Sequence, residues 1–204
     1  MTPDPLYDRE YAARQLRRRR NPLRRAIKYF YLKNLLREVR GRTVDLGFGA
    51  GQLLERLPAG SLGLEVNPHL VEEARSAGLN ATLLDTSKEE PLLDAVPANT
   101  YTTLVLAHVL EHFSDADVML KKILRAAAIL GIERVIFVVP GAKGFQFDST
   151  HRTFVNRRYL EEHGLLSCEG YRVTTRRYFP GDREGIGRYY TFHEFMFVYD
   201  RVGR

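Results

Sequence analysis

A chain of 204 residues fits one domain and is long enough to bury a sizeable core. Its 44% hydrophobic and 27% charged residues are those of an ordinary globular protein, and a single cysteine, Cys168, excludes an intramolecular disulfide. No apolar run reaches membrane-spanning length, and the start lacks the basic-then-apolar order of a signal peptide, so a cytoplasmic enzyme is the expectation.

The net charge of +6 is unevenly placed. Residues 1–40 hold ten Arg and two Lys against four acids, a net +8, so the remainder sums to −2. Residues 1–40 therefore read as a basic N-terminal helical arm and residues 41–204 as the body. In the arm, Arg17–Arg20 precede Asn21-Pro22, a helix cap and early helix residue, and a helical stretch from Leu23 to Val39. Leu23, Ile27, Phe30 and Tyr31 share one side, which Leu32, Leu35, Leu36 and Val39 widen. Such an arm either lies over a sheet edge or a ligand mouth with its arginines solvated, or meets an anionic partner. Residues 9–40 would reach RNA by charge, or a membrane surface through Tyr29, Phe30 and Tyr31.

Thr43–Leu46 then reads as a short buried strand, followed by glycine at every second position, Gly47, Gly49 and Gly51, and by a helix over Gln52–Leu57. Glycines adopt φ > 0 and let a ligand lie against bare backbone, and a helix start offers free N–H groups. A dinucleotide fingerprint fails, because the sixth position from Gly47 is Gln52. Asp45, closing the strand, suits a positively charged ligand better than a pyrophosphate.

Strand and helix signals then alternate, as in a parallel sheet covered on both faces. Ser61–Val66 is a strand ending in Glu65; Asn67-Pro68 starts a helix over Leu70–Ala77 that Gly78 stops. Asn80–Asp85 is a strand ending in an acid, with Thr86 next. A loop at 89–99 leads to the strand before Ala107 and His108. Ser114–Asp117 caps a helix to Leu130, and Glu133–Pro140 is a fully buried fifth strand.

Asp45-x-Gly47-x-Gly49-x-Gly51, the strand-ending Glu65 and Asp85, and the Leu104–His112 segment occur in the order of the class I S-adenosylmethionine-dependent methyltransferases, which residues 40–140 resemble. The resemblance implies a Rossmann-like doubly wound, seven-stranded, mostly parallel sheet in three α/β/α layers, with a C-terminal antiparallel hairpin. It implies S-adenosylmethionine as cofactor and S-adenosylhomocysteine as product. By the same resemblance Glu65 binds the ribose hydroxyls and Asp85 the adenine amino group. Asp45, Gly47, Phe48, Gly49, Gly51, Val66, Thr86, Ala107 and His108 complete the cofactor site. One departure is Tyr101-Thr102, where the family commonly has an aromatic-Asp pair.

His108, Glu111 and His112 also match an inverted zinc-protease string, but histidines four apart share a face only on a helix, and His108 follows a strand. No metal is expected. The string lies over the cofactor, with Glu111 or His112 touching the substrate.

Gly141–Gly144 reads as a flexible exit from the fifth strand to a loop carrying His151, Arg152 and Phe154. Ligands of open α/β sheets bind outside the carboxyl ends of the strands, so this loop should face the transferable methyl. A His followed by an aromatic resembles family members acting on small molecules, lipids and saccharides. His151 is either the general base or a loop-pinning residue. Arg152, Arg157 and Arg158 either receive an anionic substrate or face solvent. A helix at Arg157–His163, a strand at Tyr171–Phe179, a turn-rich link over 180–187 and a strand at Tyr189–Arg201 complete the chain, with Cys168 and His193 packed inside or at an edge.

The expected activity is methyl transfer to a hydroxyl or amine of a small-molecule, lipid or saccharide acceptor. The alternatives are an RNA methyltransferase recruited by the arm, without the Asn-Pro-Pro-aromatic motif of amino-group nucleic-acid methyltransferases, and a non-catalytic binding protein on the same fold.

Overall fold

The computed structural model describes residues 8–20, 22–85 and 93–203. The sequence pattern of buried β-branched and leucine-rich runs forms one eight-stranded sheet in the order β3-β2-β1-β4-β5-β8-β7-β6. Its parallel part is β1 (Thr43–Leu46), β2 (Leu62–Glu65), β3 (Ala81–Leu83), β4 (Thr103–Ala107) and β5 (Arg134–Pro140). Two antiparallel strands, β8 (Glu194–Arg201) and β7 (Tyr171–Phe179), follow β5, and a two-residue β6 (Ser167–Cys168) extends the edge beyond the seven strands of the resemblance. The chain reverses its direction of winding between β1 and β4, the point where such sheets open a crevice at the carboxyl ends of their strands.

Period-two alternation sorts the side chains of the sheet between two faces. Val135, Phe137 and Val139 point to one side with Leu104 and Leu106. There they meet Leu120, Ile123, Leu124 and Ala127 of α4 (Ala116–Ile129) and Leu160 of α6 (Arg157–Glu162). Val105, Ile136 and Val138 point to the other side, against Tyr31, Leu32 and Leu35 of α2 (Pro22–Leu36). α3 (Pro68–Ser76) starts at Asn67, whose Oδ1 accepts from His69 N at 2.9 Å and Leu70 N at 3.2 Å.

Several expectations change. Gln52–Leu57 is not an α-helix: after Gly51, at φ +76°, the chain makes one 3₁₀ turn, Leu54–Arg56, before Pro58. Gly141–Gly144 is not a flexible exit but opens α5 (Ala142–Gln146), and a Cβ at Gly144 would stand 2.7 Å from the Thr191 carbonyl oxygen. The last strand begins at Glu194, since the exposed Tyr189 and Tyr190 belong to the preceding 3₁₀ turn and its exit. In α2 the buried stripe is Tyr31, Leu32 and Leu35, whereas Phe30 faces solvent, 66% exposed. Arg9–Arg20 is itself a helix, α1, and packs on α3.

The arm is tied to the sheet by Arg134 at the start of β5. Its guanidinium, almost fully buried, donates to both Asp200 carboxylate oxygens at 2.7 and 2.8 Å, and to the carbonyl and Oε2 of Glu38, both at 3.1 Å. Truncating it removes the buried donor that Glu38 and Asp200 share. Arg134→Ala should cost about 2–4 kcal/mol in urea denaturation; a midpoint unchanged from the parent would contradict this.

Candidate active site

Gly47, Gly49 and Gly51 all take positive φ, at +76°, +55° and +76°. A Cβ on Gly47 would stand 2.5 Å from Val109 Cγ2, whereas one on Gly49 would meet nothing within 4 Å, so the turn is open on the Gly49 side. Glu65, at the end of β2, holds the turn: its carboxylate accepts from Gly49 N at 2.8 Å, Val66 N at 2.8 Å and Asn67 N at 3.1 Å. Burial pushes the Glu65 carboxyl above its ordinary value against the pull of these three N–H donors.

Asp45 lies within β1, opposite Gly63 and Val105, and shares their face of the sheet, toward α2. It is buried, and its Oδ2 has no hydrogen-bond partner among the described residues. Burial raises its pKa to about 7, opposed by Lys28 of α2. Lys28 is pulled down by the surrounding protein and held up by Asp45 and Glu194, yet water reaches it, as for a side chain lining a cleft. A cradle of bare glycine backbone beside an unpartnered buried carboxylate fits a ligand that carries positive charge.

At the end of β4, beyond half-buried Ala107, His108 takes φ +60° and donates its backbone N–H to Val138 at 2.9 Å. Its Nδ1 lies 3.2 Å from Glu111 Oε1 and its Nε2 3.4 Å from Glu194 Oε2. Burial pulls the imidazole down, but Glu194 and Glu111 lift it to about 9. Burial in turn raises Glu194 to about 7, against the pull of His108. The His108 side chain keeps 39% of its surface accessible, and the ring of Tyr31 lies 5.9 Å away.

The third group is Glu111, His112 and His151. Leu110–His112 is a 3₁₀ turn, and the Glu111 carbonyl accepts from Arg152 N at 2.8 Å and Thr153 N at 3.1 Å, which fastens the loop after α5 onto it. Glu111 is fully buried with Oε2 unpartnered among the described residues. His151 Nε2 is 3.8 Å from Glu111 Oε1, and the His112 and His151 rings are 4.9 Å apart. Phe145 packs on both His151 and Phe154, at 5.4 Å each.

The remaining sequence candidates divide. The Phe48 ring is turned into the core with Leu54, Leu70 and Ala12, where Gly63 makes room for it; a Cβ on Gly63 would lie 2.5 Å from Phe48 Cδ1. Only its backbone belongs to the turn. Val66 serves through its N–H on Glu65. Asp85 is exposed two residues past β3, and Thr86 lies outside the described residues. The Arg152 side chain is exposed, while Arg157 pairs with Asp182 at 2.5 Å and Arg158 with Glu162 at 2.7 Å. His193 is buried against Tyr178, rings 5.3 Å apart, as expected of an interior residue. Sequence reasoning missed Lys28 and Glu194. Lys28 is one cation among many in the arm, while Glu194, a lone acid opening an apolar strand, carried a signal.

α1 lies over the glycine turn. Ala12 is buried against Phe48, Leu54 and Leu70, and Arg19 donates to the Ala50 carbonyl at 2.7 Å and pairs with Glu55. A cavity of about 280 Å³ remains between α1, α3 and Gly49-Ala50.

Residues 44–132 match the family described as Methyltransferase domain. Over that stretch the chain is similar to methyltransferase domains. Solved structures share the methyltransferase fold at low identity. The N-methyltransferase NodS from Bradyrhizobium japonicum, in complex with S-adenosylhomocysteine, is 15% identical over 98% of this chain and 100% of its own, with a TM-score of 0.63. A S-adenosylmethionine-dependent methyltransferase from Archaeoglobus fulgidus is 15% identical over 85% and 94%, with a TM-score of 0.60. A structure of the Haloferax volcanii Trm112 methyltransferase activator with a putative methyltransferase gives 17% over 95% and 97%, with a TM-score of 0.64. No curated protein matches the sequence. The sulfonium of S-adenosylmethionine, named for the Archaeoglobus fulgidus methyltransferase, is a positive charge of the kind that the cradle and Asp45 fit. Among the described residues, no helix is long and apolar enough to cross a membrane.

Asp45 makes the stability of the ligand-free protein pH-dependent. A carboxyl that titrates at 3.8 unfolded and about 7 folded holds a proton in the native state that the unfolded chain has lost, so stability falls as pH rises across that interval. Asp45→Asn has no such proton to lose. At pH 8 it should melt roughly 3–8 °C above the parent by scanning calorimetry; equal melting temperatures at pH 8 would show Asp45 to be unperturbed.

Proposed function

We propose that the enzyme transfers a methyl group from S-adenosylmethionine to a hydroxyl of a small-molecule, lipid or saccharide acceptor, and that residues 41–204 form the catalytic domain. The observation that carries this reading is the loop fastened to Glu111, which sets His151 beside a buried carboxylate at the carboxyl end of the sheet. In this reading Glu65 receives the ribose hydroxyls and Asp85 the adenine amino group. Gly47, Gly49 and Gly51 leave room for the rest of the cofactor, and Ala107 and His108 border it. Asp45 faces its cationic end and gives up its proton as the cofactor enters.

The bound sulfonium supplies an electrophilic methyl group. The protein then has to hold the acceptor oxygen in line and keep water out, which is catalysis by orientation and contributes about 7–11 kcal/mol. His151 activates the hydroxyl. Its Nδ1 lies 2.9 Å from the Phe145 carbonyl, which only accepts, so the proton sits on Nδ1 and the lone pair on Nε2 toward Glu111. Phe154 and Arg152 border the acceptor.

The burial of Ala12 and the Arg19 contacts support the arm as a roof on the cofactor site rather than a recruiter of RNA or a membrane. His151→Ala should retain cofactor affinity and lose turnover about 10²–10⁴-fold in an S-adenosylhomocysteine release assay with a panel of hydroxylated acceptors. Full turnover by the variant, or methylation of RNA oligomers alone, would overturn this reading.

A further inference from the structure

We propose that Glu111, His112 and His151 bind a divalent transition-metal ion, Zn²⁺ or Mn²⁺, on the acceptor side of the cleft. One donor atom from each residue lies within 4.8 Å of the other two. The string His108-x-x-Glu111-His112 supplies two of the donors and the loop after α5 the third. The helical pairing of His108 with His112 is therefore not required. His108 instead bridges the carboxylates, its Nδ1 3.2 Å from Glu111 Oε1 and its Nε2 3.4 Å from Glu194 Oε2.

Hydrogen bonds fix both imidazoles in the form that ligates. Thr150 Oγ1 donates to Asp148 Oδ1 at 2.7 Å, a carboxylate that only accepts, so Thr150 accepts from His112 Nδ1 at 3.1 Å. His151 Nδ1 donates to the Phe145 carbonyl at 2.9 Å. Each ring thus spends its Nδ1 proton on a carbonyl or on a hydroxyl–carboxylate relay and keeps its Nε2 lone pair, the outer-shell pattern that orients metal-bound histidines. The carboxylate side is equally prepared. Glu111 is fully buried, and its Oε2 lacks any hydrogen-bond partner among the described residues. A buried carboxylate oxygen left unpaired is costly, and a cation beside it removes that cost.

Two imidazoles and one carboxylate favour Zn²⁺ or Mn²⁺ over Mg²⁺ or Ca²⁺, which prefer all-oxygen sites, and three protein ligands leave positions open. An open position takes the acceptor's hydroxyl oxygen and lowers its pKa, and the proton leaves to water. His151 then activates the hydroxyl through the ion rather than by taking its proton. This last step rests on the proposed function; the site itself does not.

The test is direct binding to the full-length protein, by calorimetry with ZnCl₂ and by electron paramagnetic resonance with MnCl₂. We expect one ion per chain, an affinity weakened at least about 10–100-fold in His112→Ala and His151→Ala, and a smaller loss in Thr150→Val, which removes only the relay to exposed Thr150. Circular dichroism melts confirm that each variant is folded. No binding by the parent, or binding that these variants leave unchanged, overturns the site, whether or not methyl transfer is found. Binding lost in the variants, with no acceptor methylated, supports the site and counts against the proposed function instead.

Discussion

A backbone N–H donated by Gly49 to the Glu65 carboxylate joins the glycine turn after β1 to the end of β2. The bond is charge-assisted, and its acceptor is buried, so it is stronger than a neutral pair and cannot be released to water without leaving a charge unsolvated. With Gly47 N donating to the Leu64 carbonyl at 2.7 Å, it sets the turn against β2 at two points. The rest of the cradle follows from that position. Phe48 is directed over Gly63, which has no side chain to obstruct it, and its ring becomes the surface on which Ala12 of the arm and Leu70 of α3 pack. The basic arm, through Ala12, is in this way part of the core.

The cleft at the carboxyl ends of the strands is electrostatically divided. Toward the glycine turn Asp45 is offset by Lys28 and raised by Glu65, and toward the loop after α5 Glu111 lies between His108 and the pair His112 and His151. Glu194 links the two, because His108 contacts it from one direction and Lys28 acts on it from another. Four buried acids in one crevice are expensive unless cations offset them. His108 and Lys28 supply two positive charges; in our reading the sulfonium of the cofactor and a metal ion supply the others.

Most of this architecture was legible where chemistry and local pattern coincide. The Asp45–Gly51 turn, Glu65 at a strand end and the apolar run of β5 each carry their own signal, since alternating glycines and fully buried β-branched runs have few other uses. Phe30 and the Gln52–Leu57 segment were misread because local periodicity cannot see a competing constraint. In the first case the sheet selected Tyr31, Leu32 and Leu35; in the second, Gly51 at positive φ and Pro58 left room for one turn only. The meeting of His151 with Glu111 and His112 joins residues about 40 apart through the loop after α5, and no spacing rule reaches that far. Lys28 was hidden by its own composition, as one charge in an arm of many.

The central claim is that the Glu65-held glycine turn is a prepared S-adenosylmethionine site. Calorimetric titration with S-adenosylmethionine, with Glu65→Ala measured in parallel and both proteins checked by melting, tests it most directly. The account predicts saturable binding at micromolar concentrations in the parent, weakened at least about tenfold in the variant, the loss expected when charge-assisted hydrogen bonds are removed. Absence of binding by the folded parent, or equal affinity in the folded variant, would contradict it.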